Sequence, residues 1–166
     1  MLSRMFVRYY VDLAAPFAEA ERRLLADPAG WLPSILVDAE NRGNRLLADV
    51  GFPLDPAHRV DKQVDIEVGE AYRMPGKTML PITWTATGGE WLFPSLEGDL
   101  ELAALGERRT QLSLSARYKP PLGVVGRSLD RALLHRVAEA TVKDFLDRVG
   151  QAITGRVMAG QRGGAG

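Results

Sequence analysis

Residues 118–146 read YKPPLGVVGRSLDRALLHRVAEATVKDFL, and two side-chain periods meet inside them. Up to Tyr118 the chain alternates, with Thr110, Leu112, Leu114, Ala116 and Tyr118 on one parity and Gln111, Ser113, Ser115 and Arg117 on the other, as a half-buried strand does. Pro120 and Pro121 lack amide donors, so the ladder stops there. Gly123 and Gly126 let the chain turn. From about Ser128, a plausible N-cap, to Thr154 the period becomes helical: Leu134, Val137, Ala138, Thr141, Phe145, Val149 and Ala152 share one stripe, with Arg136, Glu139, Lys143 and Asp147 away from it.

Working back from this junction, the same alternation recurs. Leu96, Gly98, Leu100 and Leu102 oppose Glu97, Asp99 and Glu101. Leu80, Ile82, Trp84 and Ala86 oppose Met79, Pro81, Thr83 and Thr85. Val60, Lys62, Val64, Ile66 and Val68 oppose Asp61, Gln63, Asp65 and Glu67, and Met5, Val7, Tyr9 and Val11 form a first strand. RLLADVGF (45–52) is a weaker strand, since propensity alone favours a helix. Between the first two strands, PFAEAERRLLA (16–26) has proline at its start, acids early and arginines late, the arrangement of a short helix. A second, broken helix is expected over Ala29–Glu40. Short connections between consecutive strands predict an antiparallel meander, whose dry face is the surface that the C-terminal stripe must cover.

The chain has 166 residues, enough for one domain that buries roughly 70% of its unfolded surface. That domain is expected over residues 1–154, with 155–166 a glycine-rich flexible tail. No cysteine is present, which excludes disulfides, thiolate nucleophiles and cysteine-ligated metals. Arg4, Arg8 and Asp12 interrupt the N-terminal apolar run, and no stretch reaches the ~18 apolar residues of a span; the expected setting is cytoplasmic, without integral membrane association. The 21 basic and 21 acidic residues cancel, but residues 1–106 hold 10 basic and 16 acidic while 107–166 hold 11 and 5. This asymmetry predicts contact between a basic C-terminal helix and an acidic sheet. The cations are too dispersed for nucleic acid.

Strand, two short helices, antiparallel strands and a long C-terminal helix is an order that resembles the helix-grip fold of the START-like, or SRPBCC, superfamily, which includes polyketide cyclases, lipid-transfer domains and the major birch-pollen allergen. The segments RVDKQVDIEVG (59–69), ITWTATG (82–88), LFPSLEGDLEL (92–102) and residues 118–146 look like those of uncharacterised actinobacterial members. The resemblance covers roughly residues 3–153 and rests on element order more than on a diagnostic motif. It implies an α+β fold in which a six- to seven-stranded sheet wraps the long helix around a cavity. On that reading Trp84, Trp91, Leu112, Leu114, Tyr118, Leu134, Val137, Thr141 and Phe145 line the cavity, and Lys62, Leu122 and Val125 stand at its rim.

Chemistry-bearing motifs are sparse. His58 and His135 have no spacing that pairs them, and each reads as a surface or boundary side chain. Glu97, Asp99 and Glu101 fall on the wet face of a strand, an ordinary solvated surface, so no metal is expected there. No catalytic residue and no cofactor is assigned. The first expectation is binding of a hydrophobic small molecule or lipid. The second is a polyketide cyclase or dehydratase acting mainly by positioning its substrate, with Tyr118, Thr141 or Lys62 assisting proton transfer. A third is an interaction module using Leu122, Val124 and Val125. The protein is expected to be a monomer or homodimer.

Overall fold

In the computed structural model, residues 5–26, 28–32, 45–86, 95–119 and 131–155 are described. Seven strands and two α-helices follow in the order β1 (Met5–Leu13), α1 (Phe17–Leu24), β2 (Arg45–Asp55), β3 (His58–Val68), β4 (Tyr72–Met74), β5 (Lys77–Ala86), β6 (Ser95–Ala104), β7 (Thr110–Lys119) and α2 (Arg131–Thr154). All pairings are antiparallel, and the sheet runs β1-β7-β6-β5-β3-β2, with β4 also on β5.

Alternation placed the dry face correctly on every strand where it was read. Val7, Val64, Ile66, Leu80, Ile82, Trp84, Leu96, Leu100, Leu102, Leu112, Leu114, Ala116 and Tyr118 are all buried. The weak strand is real: β2 pairs with β3 over ten positions, from Arg45 opposite Glu67 to Asp55 opposite His58. Tertiary pairing overrides its helical propensity. The added strand is β4, whose three residues are all exposed and carry too short a pattern to be seen in the sequence.

Pro81 shows how β4 arises. β3 pairs with β5 as far as Val68 opposite Ile82, and β4 resumes on the same side at Tyr72 opposite Met79. Pro81 stands in the interval between the two ladders, where a residue with no N–H is tolerated. Its carbonyl still accepts from the Gly69 amide at 2.8 Å. The β4–β5 hairpin turns at Gly76, whose φ of 70° suits glycine.

The sheet is strongly curled. β1 and β2 are its two edges, yet α2 packs on both, and on β7 between the ends of the order. Gly98 marks one place where the strands crowd: a methyl group there would lie 2.4 Å from the Ser115 carbonyl oxygen and 2.7 Å from Ala116 Cβ. Only glycine fits at that approach.

On α2 the expected stripe is buried at Leu134, Ala138, Thr141, Phe145 and Val149, and it widens to take in Val142, Leu146 and Ile153. Val137 and Ala152 lie at its margins. The start expected at Ser128 falls outside the described residues, as do the tail beyond Gly155 and most of the segment expected as a second short helix. What is described of that segment is a single 3₁₀ turn at Pro28–Gly30, followed by Trp31, which is buried and donates from its indole N–H to the Leu24 carbonyl at 3.0 Å.

Two ion pairs qualify the electrostatic expectation. Arg109 meets Asp12 at 2.6 Å, a pair between the basic and acidic parts of the chain that does not involve the helix. The fork between β3 and α2 runs the other way: Arg59 of the sheet grips Asp144 of the helix at 2.8 and 2.9 Å. These hydrogen bonds raise the guanidinium pKa, with Asp144 the larger cause and Asp61 the smaller.

Candidate functional site

The inner faces of β5, β6 and β7 and the stripe of α2 converge on one apolar interior. Trp84 and Phe145 meet edge to face, with ring centroids 5.1 Å apart and planes at 65°, a favoured aromatic geometry. Leu112, Leu114 and Tyr118 belong to the same buried cluster. Of the residues expected to line a cavity, Trp84, Leu112, Leu114, Tyr118, Leu134, Thr141 and Phe145 are buried and Val137 is half-buried. Trp91, Leu122 and Val125 lie outside the described residues. Lys62 is half-buried on β3, opposite Val50.

Polar atoms are few here. Thr141 is satisfied within its own helix, donating to the Val137 carbonyl at 2.7 Å. The Tyr118 hydroxyl instead reaches out of the sheet: its oxygen is 3.0 Å from His135 Nδ1 and 3.1 Å from Met5 Sδ. On its other side His135 presents Nε2 to Glu139 Oε1, also at 3.0 Å. The three groups form one file from a residue only 1% exposed, through a side chain 37% exposed, to one 56% exposed.

Glu139 fixes the polarity of this file. An ionised carboxylate only accepts hydrogen bonds, so His135 donates from Nε2, leaving Nδ1 unprotonated in the neutral ring. Nδ1 then accepts the phenolic proton of Tyr118. Burial, and secondarily the Glu139 charge, push the Tyr118 pKa above its ordinary value, so the phenol keeps its proton at neutral pH.

The sequence reading placed His135 beside the apolar stripe and gave it no partner. Its i,i+4 relation to Glu139 was a visible signal. The contact with Tyr118 spans the junction between sheet and helix and follows only from the tertiary fold. His58 remains a turn residue: Asp55 Oδ1 accepts from the Ala57 and His58 amides and also meets the His58 ring, at 2.8 to 3.0 Å. Among the described residues no three His, Asp or Glu side chains gather to hold a metal. Glu97 is exposed on the outer sheet face and Glu101 pairs with Lys77 at 3.4 Å.

Two clefts run along the outside, between β1 and α2. One, of about 350 Å³, is bounded by Arg8, Tyr9, Arg136, Glu139 and Lys143. The other, of about 200 Å³, lies further along, by Asp12, Asp147 and Gln151. Lys143 sits 5.8 Å above the Tyr9 ring and 3.3 Å from Asp147. Glu139 is shared between the first cleft and the internal file.

No family model and no curated protein matches the chain. Solved structures match over nearly its whole length. A conserved protein from Geobacillus kaustophilus is 19% identical, covering 92% of this chain and 97% of its own, with a TM-score of 0.61. The Zhui aromatase/cyclase from Streptomyces sp. R1128 is 20% identical over 95% and 98% of the two chains, with a TM-score of 0.56. A START superfamily protein from Mycobacterium smegmatis is 16% identical over 95% and 99%, with a TM-score of 0.51. At these identities the likeness is one of fold: the chain has the α+β helix-grip fold that these proteins share. Among the described residues no helix is long and apolar enough to cross a membrane.

Proposed function

We propose that the protein binds a hydrophobic small molecule or lipid between the inner face of the sheet and α2. The observation that carries this reading is a single outward-tied phenol, Tyr118, at the edge of an aromatic-walled, mostly apolar interior; apolar walls with a few placed polar groups are the make-up of small-molecule sites. Trp84, Leu112, Leu114, Tyr118, Leu134, Val137, Thr141 and Phe145 are the proposed lining, joined by Trp91, with Lys62, Leu122 and Val125 at the rim. Trp84 on β5 and Phe145 on α2 are in ring contact, so uptake between them requires α2 to ease away from the sheet. Native mass spectrometry of protein purified gently from its own host, compared with the denatured mass, tests the reading. An added mass that is lost on denaturation supports it. A clean protein mass, together with no change in amide hydrogen exchange of α2 on adding candidate lipids, overturns it.

A second reading, a cyclase- or dehydratase-like enzyme, has one specific observation in its favour. Tyr118 already lies at hydrogen-bond distance from a base, His135 Nδ1, that is itself oriented by Glu139, the geometry general-base chemistry asks for. Tyr118 Oη would take a proton from a substrate as its own passes to Nδ1, and the imidazolium so formed would face the Glu139 carboxylate. Return of that proton to another position of the substrate balances an isomerisation. Turnover of a poly-β-ketone by the native protein that is unchanged in Tyr118→Phe and His135→Asn variants would exclude this role.

A further inference from the structure

The hydrogen-bond file from Glu139 through His135 to Tyr118 has a direction, and the direction constrains what can bind. With the imidazole neutral, Glu139 accepts, His135 donates from Nε2 and accepts at Nδ1, and Tyr118 gives its one proton to Nδ1, each contact being 3.0 Å. The second neighbour of the phenol oxygen, Met5 Sδ at 3.1 Å, is also an acceptor, and a weak one. Among the described residues no donor reaches Tyr118 Oη. Met5 is half-buried and its unbranched side chain repacks readily, which makes the sulfur the contact an incoming polar group displaces.

We infer that the file makes the interior site select an apolar ligand carrying a hydroxyl donor, a phenol or an enol, over one offering only an acceptor such as an ether. This rests on the reading of the interior as the ligand site. A ligand hydroxyl donating to Tyr118 Oη lengthens the file by one link with every donor and acceptor matched. An ether oxygen at the same place faces only lone pairs, since turning the Tyr118 proton toward it strips His135 Nδ1 of its donor. Mismatched polar groups in an enclosed site discriminate more sharply than apolar fit does. The polarity is set at the surface by Glu139, a positioning residue that touches no ligand.

The test uses 2-naphthol and 2-methoxynaphthalene, with affinities measured by titration calorimetry on the full chain at pH 8, where an imidazole is neutral. Relative to the Tyr118→Phe variant, the native protein should favour the naphthol over the ether by about tenfold, the worth of one good hydrogen bond. Glu139→Lys places a donor where the acceptor stood. His135 then accepts at Nε2 and donates from Nδ1 to Tyr118, whose proton turns to the ligand, and the preference should fall or reverse toward the ether. Glu139 is well exposed, so this variant keeps its fold even if Tyr118→Phe loses stability; circular dichroism checks both. A naphthol-to-ether ratio that is the same in the native protein and Glu139→Lys overturns the polarity argument while leaving the interior site standing. Failure of the native protein to bind either compound up to its solubility removes the interior reading, and this inference with it.

Discussion

The two halves of α2 meet the same sheet in different ways. In the C-terminal half Phe145, Leu146, Val149 and Ile153 are all at most 1% exposed, and the end is held by α1, where the Arg23 side chain donates to the Ile153 carbonyl. Arg59 clamps the middle through Asp144. In the N-terminal half the buried residues are Leu134, Ala138, Thr141 and Val142, smaller in total, with Val137 and His135 only partly covered. The polar file of Tyr118, His135 and Glu139 lies in this half. One helix face thus packs tightly at one end and carries the polar file at the other, an arrangement that would let the second end open without unfolding the first.

The largest expected effect follows from this contrast. Phe145→Ala removes the ring packed on Trp84 and should cost about 3–5 kcal/mol in urea denaturation, as aromatic truncations in close-packed cores do. Leu134→Ala, in the looser half where the side chain is 8% exposed, should cost about 2 kcal/mol, the low end for leucine. Equal losses at the two sites would erase the distinction between the halves. A smaller change sharpens it: Tyr118→Phe keeps the ring and deletes one hydrogen bond to a His135 that water can reach, so stability should fall by only about 0.5–1.5 kcal/mol. A larger loss would make the file a structural brace instead of a binding device.

Much of this contrast was legible in the sequence, and what was missed has physical reasons. Strand alternation located the inner face because side chains in strands project with a period of exactly two residues, so a single buried residue such as Ile66 determines the rest of its strand. The stripe on α2 was read from Leu134 to Ala152, but Val142, Leu146 and Ile153 were not included; a helix enclosed on three sides by a curled sheet buries a wider arc than one lying on a flat surface. β4 escaped because three exposed residues have no period. The expectation that basic helix would meet acidic sheet followed net charge, whereas Arg59 and Asp144 pair by position. Tyr118 was singled out for its polar group within an apolar parity, yet its partner was not, because contact between residues 17 apart across two prolines is a property of the corner and not of either element.

The smallest predicted effect tests the closed end. Glu21 of α1 accepts from Arg73 of β4 at 2.6 Å and from the buried hydroxyl of Thr78 on β5, tying the helix that caps Ile153 to the sheet. The Arg73 hydrogen bond first and the Thr78 hydrogen bond second lower the Glu21 pKa below its ordinary 4.5. A depressed folded pKa means that the folded state releases this proton more readily than the unfolded chain. The stabilisation is therefore complete above pH 4.5 and disappears as pH falls from there through the folded value. Because Arg73 is largely exposed, the contribution should be under about 1 kcal/mol. Denaturation midpoints of native protein and Glu21→Gln, followed from pH 7 to pH 3, should differ at the neutral end and converge on acidification. Hydrogen exchange in the same samples should show α1 and the last turn of α2 loosening together. If acid instead frees the His135 half first, with α1 unchanged, then the half assigned here to ligand uptake is also the half that titrates, and the division of labour along α2 has to be redrawn.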